Sequence, residues 1–223
     1  MPKKIILAIV IFLNQLLAIT VMRNPNQFPE SYLTINFPAL EQPDGITCGP
    51  TSATMLLNYY GFKTTLSEVK KVTKTHWFTY QSEAIGLTIP TYLDAALDAH
   101  GLHAKIETGT IRKLKWYVSK NQLPIVLVRS GQKTWHYIVV VGYDKGNIII
   151  ANPGSGTIYP ISTKDFNAAW SFTGDLNGEH LGADFYAEIL KKVDLVNVTD
   201  HVMIVPHPPK EAKTPSHDCS LSP

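Results

Sequence analysis

Cysteine is scarce in this 223-residue chain: Cys48 and Cys219 are the only two, so the fold can hold one internal disulfide at most. Neither has a second cysteine nearby, and His100 and His103 straddle Gly101, which argues against a structural zinc site. Excess charge of one sign is also missing. The formal charge is +2, and setting aside Lys3 and Lys4 from the 20 basic residues leaves as many as the 18 acidic ones. A balanced chain carries no electrostatic footprint for nucleic acid or an anionic membrane. No glycine-rich phosphate loop is found either, because Gly154-Ser155-Gly156 lacks the lysine and helix that must follow it.

A long unbroken apolar run is the last absence. Lys3 and Lys4 precede Ile5 through Leu13, and Asn14-Gln15 then interrupts before Leu16 through Thr20. A spanning helix wants about 20 consecutive apolar residues. The layout is that of a secretory signal peptide over residues 1–20, cleaved near 18–20. An uncleaved anchor is the alternative, since no clean small-x-small site stands out, and it would be the one route to a membrane. No cysteine lies near the cleavage region to take a lipid. The protein is therefore expected to be secreted or periplasmic.

What is present concentrates in Gln42-Pro43-Asp44-Gly45-Ile46-Thr47-Cys48-Gly49-Pro50-Thr51-Ser52, followed at once by the apolar run Ala53 to Tyr60. Pro50 suits a first helical turn, where its missing N–H costs nothing. Cys48 then sits at the positive end of a helix, where a thiol of reference pKa about 8.5 is expected to be depressed below 7. Pro43-Asp44-Gly45 reads as a tight turn that lets the Gln42 amide face the thiol. With the Cys48 N–H, that amide would form an oxyanion hole.

A nucleophilic cysteine needs a base and the base an orienter. Of eight histidines, His136 alone opens a strongly β-forming run, His-Tyr-Ile-Val-Val-Val-Gly-Tyr-Asp, which turns at Asp144-Lys145-Gly146-Asn147 into Ile148-Ile149-Ile150. In such a hairpin position 136 faces roughly position 154, which brings Asn152 near His136. The asparagine carbonyl would fix the imidazole tautomer and aim its other nitrogen at Cys48. Taken singly, each residue has a plainer reading: Cys48 a small buried hydrophobe, Gln42 a surface residue, Asn152-Pro153-Gly154 a turn. Their ordered combination points to catalysis.

These residues resemble the papain-like cysteine peptidases, and within them the bacteriocin-processing, double-glycine-leader peptidases and their stand-alone secreted relatives. The resemblance rests on Gln42, on Cys48 through Ser52 leading into Leu57-Asn58-Tyr59-Tyr60-Gly61, on His136 through Asp144, and on Asn152-Pro153-Gly154. It implies Gln42 as oxyanion residue, Cys48 as nucleophile, His136 as general base and acid, Asn152 as orienter, a peptide or protein substrate, and no cofactor or metal. Leader peptidases usually carry aspartate before the proline, where this chain has Asn152. Nothing in the chain resembles their membrane-spanning and ATP-binding parts, so double-glycine specificity is not carried over. Acyl transfer to an amine, or a catalytically inactive binding module on the same fold, are the alternatives.

The remaining pattern predicts one α+β domain over residues 32–206, helices first and antiparallel strands after, with an amino-terminal helical part packed on a carboxyl-terminal antiparallel sheet, and a monomer is expected. Helices are expected at 48–60, 66–74, from 88–90 to Gly101, at 110–121, and from a Ser162–Asp165 cap to Trp170. Strands are expected at 125–128, 136–143, 147–151, 157–159 and 202–205. Residues 171–183 read as a surface loop bordering the site, and 184–192 as helix or strand. The proline-rich tail, 207–223, carries Cys219 as an incidental or intermolecular thiol, with a bridge to Cys48 as the alternative.

Overall fold

The computed structural model describes residues 28–74, 76–80, 83–130, 134–171 and 199–208. The amino-terminal segment 1–20, nearly all of the 171–183 loop, the 184–192 element and the Cys219 tail lie outside the described residues.

Helix α1 (Cys48–Tyr59) is the centre of the molecule. All its residues from Gly49 to Leu57 are buried, and so is Tyr59. Small and apolar residues lie on every side of it, with Thr51, Ser52 and Thr54 buried among them, so the helix has no solvent face and is enclosed. Helix α2 (Leu66–Val72) and helix α3 (Pro90–Ala99) lie against it, as does the sheet. Met55, Leu56 and Leu57 have no exposure, and each such side chain contributes roughly 1.5–3 kcal/mol. A thiol at the first residue of this rod inherits the rod's rigidity.

The local rules that start the other helices act as expected. Thr65 and Glu68 form a reciprocal capping box for α2, and Pro90 opens α3 from within its first turn. Thr110 accepts from the Lys113 N–H to start α4 (Ile111–Ser119), and Ser162 accepts from the Asp165 N–H to start α5 (Thr163–Trp170). The inward residues of α3 and α4, among them Leu93, Ala96, Leu97, Leu114 and Val118, are all fully buried.

The helices pack on a seven-stranded sheet. Its strands are β1 (Tyr32–Leu33), β4 (Ala104–Thr108), β5 (Ile125–Ser130), β6 (Thr134–Tyr143), β7 (Asn147–Asn152), β8 (Thr157–Ser162) and β9 (Val202–Pro206). The order is β4-β9-β5-β6-β7-β8, with β1 also pairing β6, and every pairing is antiparallel. A separate hairpin joins β2 (His76–Tyr80) to β3 (Glu83–Leu87). The α+β class holds, but the order of helices before strands is too simple: β2, β3 and β4 intervene. Strand β4, Ala-Lys-Ile-Glu-Thr, is a half-exposed edge whose charged residues hide its alternation. The carboxyl-terminal strand β9, buried at every residue, is inserted between β4 and β5.

Strand β6 carries one irregularity. Tyr143 pairs with Ile148 and Gly142 with Ile149, but Val140 pairs with Ile150 and Val139 with Ala151. Val141 is the extra residue of a β-bulge. Its carbonyl accepts the Thr34 N–H at 2.9 Å, so the bulged backbone is not orphaned. Beside it, a Cβ on Gly142 would lie 2.7 Å from the Tyr32 carbonyl oxygen, a separation that only glycine permits.

Candidate active site

The first turn of α1 decides what Cys48 meets. Asp44 Oδ1 accepts the N–H groups of Ile46 at 3.0 Å and Thr47 at 2.8 Å, and the Thr51 N–H reaches the Thr47 carbonyl at 2.9 Å. Pro50 has no N–H. Of the donors that a helix start leaves over, those of Cys48 and Gly49 remain, and both bear on the thiol together with the Tyr137 N–H.

The expected depression of the thiol pKa is overturned. Burial pushes the Cys48 thiol up from 9.0, and the backbone donors of Tyr137, Gly49 and Cys48 itself only partly offset this, with the Asp44 carboxylate adding to the rise. The helix end is present, but it lies inside the protein, where desolvation of the anion outweighs the dipole. Burial likewise holds the His136 imidazole below 6.5, with the Asn152 hydrogen bond opposing it. Both groups are therefore driven toward their neutral forms.

His136 Nε2 lies 2.7 Å from Asn152 Oδ1. The direction of that amide is fixed independently, because Oδ1 accepts the Gly154 N–H at 2.8 Å and Nδ2 donates to the Tyr159 hydroxyl at 2.7 Å. With oxygen facing the ring, Nε2 must be the protonated nitrogen, which leaves Nδ1 as the basic one. The bulge at Val141 makes this contact geometrically available. Below it, the register sets position 138 opposite 152 and 136 opposite 154, so His136 and Asn152 share a face. Were Val141 paired in a regular ladder instead of bulged out, position 152 would oppose 139, and its side chain would point to the other face.

Cys48 meets this strand one residue beyond the histidine, against the Tyr137 backbone. The helix is seated there by Ser52 Oγ, which donates to the Tyr137 carbonyl at 3.4 Å, and by Gly49, where a Cβ would lie 3.2 Å from both Leu93 and Tyr137. Tyr137 is locked in turn by its hydroxyl, which donates to the Thr88 carbonyl at 2.9 Å.

Gln42 joins the same cluster from the other side. Its backbone N–H donates to the Pro153 carbonyl at 2.7 Å. Its side-chain Nε2 donates to the Asp44 carbonyl. One Nε2 hydrogen remains for a further acceptor, while Oε1 is buried without a partner among the described residues. The two loops also touch at Glu41, whose backbone N would lie 3.1 Å from a Cβ on Gly156.

Residues 42, 48, 136 and 152 thus gather at one end of the β6–β7 hairpin. Elsewhere, His100 is held by the Ala96 carbonyl and His103 by Asp98, on α3 and just after it. Sequence reasoning took Asp44 and Gly154 for turn residues and passed over Tyr159. The Asn-Pro-Gly string was a usable signal for Gly154, and nothing in Thr-Ile-Tyr-Pro marked Tyr159.

The model of the Peptidase_C39 like family matches residues 34–177 of this chain. No curated protein matches it. Among solved structures, a putative C39-like peptidase from Bacillus anthracis is 15% identical with a TM-score of 0.58, covering 83% of this chain and 100% of that one. The peptidase domain of Streptococcus ComA, a bi-functional ABC transporter involved in quorum sensing, is 22% identical with a TM-score of 0.50. That match covers 60% of this chain and 93% of the domain. At these identities the two structures speak to the fold alone.

Proposed function

Because the chain belongs to the Peptidase_C39 like family, which supports a cysteine peptidase function, we propose that it is a secreted or periplasmic enzyme hydrolysing peptide bonds through Cys48, His136 and Asn152, with Gln42 in the oxyanion hole. The export assignment rests on the amino-terminal Lys-Lys and apolar segment. The observation that carries the chemistry is the 2.7 Å contact between His136 Nε2 and an Asn152 oxygen whose orientation two other hydrogen bonds fix.

The neutral pair favoured by burial sets the order of events. His136 Nδ1 removes the Cys48 proton as Sγ attacks the substrate carbonyl, so neither ion need persist in the resting site. The tetrahedral oxyanion takes the Cys48 N–H and the uncommitted Gln42 Nε2 hydrogen. Collapse breaks the C–N bond, and the imidazolium returns its proton to the leaving amine. Water, deprotonated by the same Nδ1, then attacks the thioester and releases the acid and the thiol.

An electrophilic thiol probe tests the reading. Labelling at Cys48, read apart from any at Cys219, should be lost in Cys48→Ala and strongly slowed in His136→Ala. Wild type should also release new peptide amino termini that Cys48→Ala does not. Labelling indifferent to His136 would remove the base and with it the hydrolase; products bearing a new amide in place of a free carboxylate would redirect the reading to acyl transfer.

A further inference from the structure

We propose that Tyr159 is the positioning residue that makes an asparagine serviceable as the orienter of His136, by holding the far end of the Asn152 amide. This rests on the reading of His136 as the base.

A carboxylate presents two equivalent oxygens, so either can face an imidazole. A carboxamide is two-ended, and only one end accepts. If Asn152 turned its nitrogen to His136, the ring would have to offer Nε2 as acceptor and carry its proton on Nδ1. The base would then be protonated at the atom that must take the Cys48 proton. An asparagine in this position needs each end marked. The oxygen end is marked by the Gly154 N–H at 2.8 Å, and the nitrogen end by the Tyr159 hydroxyl at 2.7 Å. The strand register delivers that hydroxyl: Asn152 pairs with Thr157 and Ile150 with Tyr159, so Tyr159 is the diagonal neighbour on the face that Asn152 occupies.

A surface aromatic on a strand is usually unremarkable, and Tyr159 is 36% exposed. Two features separate it from that reading. Its hydroxyl is directed at the one side chain bonded to the base, and it supplies the remaining bond that an asparagine, unlike an aspartate, requires there as a donor.

The test is a double-mutant cycle in the full chain, reading Cys48 alkylation by iodoacetamide at neutral pH. Tyr159→Phe keeps the ring and removes the hydroxyl; it should slow alkylation about fivefold, the scale of one hydrogen bond. In an Asn152→Asp background the same change should have an effect below about twofold, because a symmetric carboxylate has no end to mark. Equal losses in the two backgrounds would reduce Tyr159 to a packing residue, and no loss beside Asn152 would overturn the proposal. A second measurement is independent of reactivity: nitrogen NMR of the His136 ring should show a single Nε2–H tautomer in wild type and a mixture in Tyr159→Phe. An unchanged tautomer overturns the positioning role even if Cys48 reacts. An altered tautomer in a protein whose Cys48 cleaves nothing leaves positioning intact and sinks the peptidase reading instead.

Discussion

Gln42 is tied to Pro153: the backbone N–H of one donates to the carbonyl of the other at 2.7 Å. The loop that carries Gln42, proposed for the oxyanion hole, and the loop that carries Asn152, proposed as the orienter, are therefore tied together. Because this tether is made by backbone atoms, it survives a change of the Gln42 side chain. Gln42→Ala should leave the melting temperature nearly unchanged, apart from relief of the buried, unpartnered Oε1, while kcat falls about 10²–10³-fold. Parallel thermal melts and turnover on a peptide substrate decide it. A loss of stability matching the loss of activity would mean that the side chain builds the loop and does not stabilise the oxyanion.

Asp44 has two separable jobs. Its carboxylate oxygen accepts from Ile46 and Thr47, and its charge raises the Cys48 thiol pKa. Asp44→Asn keeps an acceptor and removes the charge, so the thiol should ionise at lower pH with the loop intact. The pH dependence of iodoacetamide labelling reads this directly. Asp44→Ala removes the acceptor as well and should cost about 1–2 kcal/mol of stability. A thiol pKa equal in wild type and Asp44→Asn would contradict the electrostatic assignment.

Gly154 backs onto the histidine. A Cβ there would lie 3.2 Å from Asn152 Oδ1 and 3.5 Å from His136 Cε1. Alanine fits with a small adjustment of the amide and should cost activity a few-fold at most. Valine places a further carbon against the ring and should lower kcat/KM by about tenfold or more, on the scale of a displaced hydrogen bond to His136, the proposed base. Full activity in Gly154→Val would show that the imidazole is less confined than these distances imply.

Stability should fall at both ends of the pH scale. His136 has its folded-state pKa below 6.5, so between that value and 6.5 the unfolded chain binds more protons and stability drops as the pH is lowered. Cys48 has its folded-state pKa above 9.0, so from 9.0 upward the unfolded chain releases its proton first and stability drops as the pH rises. Denaturant midpoints across pH 5 to 10 would show both slopes. In Cys48→Ala the alkaline slope should shrink and the acid one persist; an unaltered alkaline slope would assign it to another group.

The helical half was largely legible from sequence because its signals are local. Pro50, the Thr65–Glu68 box and the Ser162–Asp165 cap each act within a few residues. That Gln42 meets the loop of Asn152, and Asn152 meets His136, was legible for a similar reason, since these residues stand at or near a turn or an element end. The faces of the strands were not. Residues 137–143 of β6 are buried on both sides, so no alternation reveals which side chains point together. The thiol environment was hidden as well, because the helix end that favours a thiolate and the burial that opposes it arise from different elements. Strands β4 and β9 became neighbours through pairing across about half of the domain, and no local pattern encodes that.

The bulge at Val141 has a consequence for how this stretch of chain tolerates change. The turn at 144–147 lies outside the β6–β7 ladder, so lengthening or shortening it leaves the pairing alone. Inside the ladder the bulge is one residue of slack. Losing Val141 would close it into a regular ladder with 140 still opposite 150 and 138 opposite 152, so the Asn152 amide would keep the face of the imidazole; pairing Val141 with Ile150 at unchanged length would instead set 139 opposite 152 and turn the amide away. When homologous hairpins are aligned or grafted here, a single-residue gap at Val141 keeps the pair together, and a register slip is what separates it, even where all four site residues are kept.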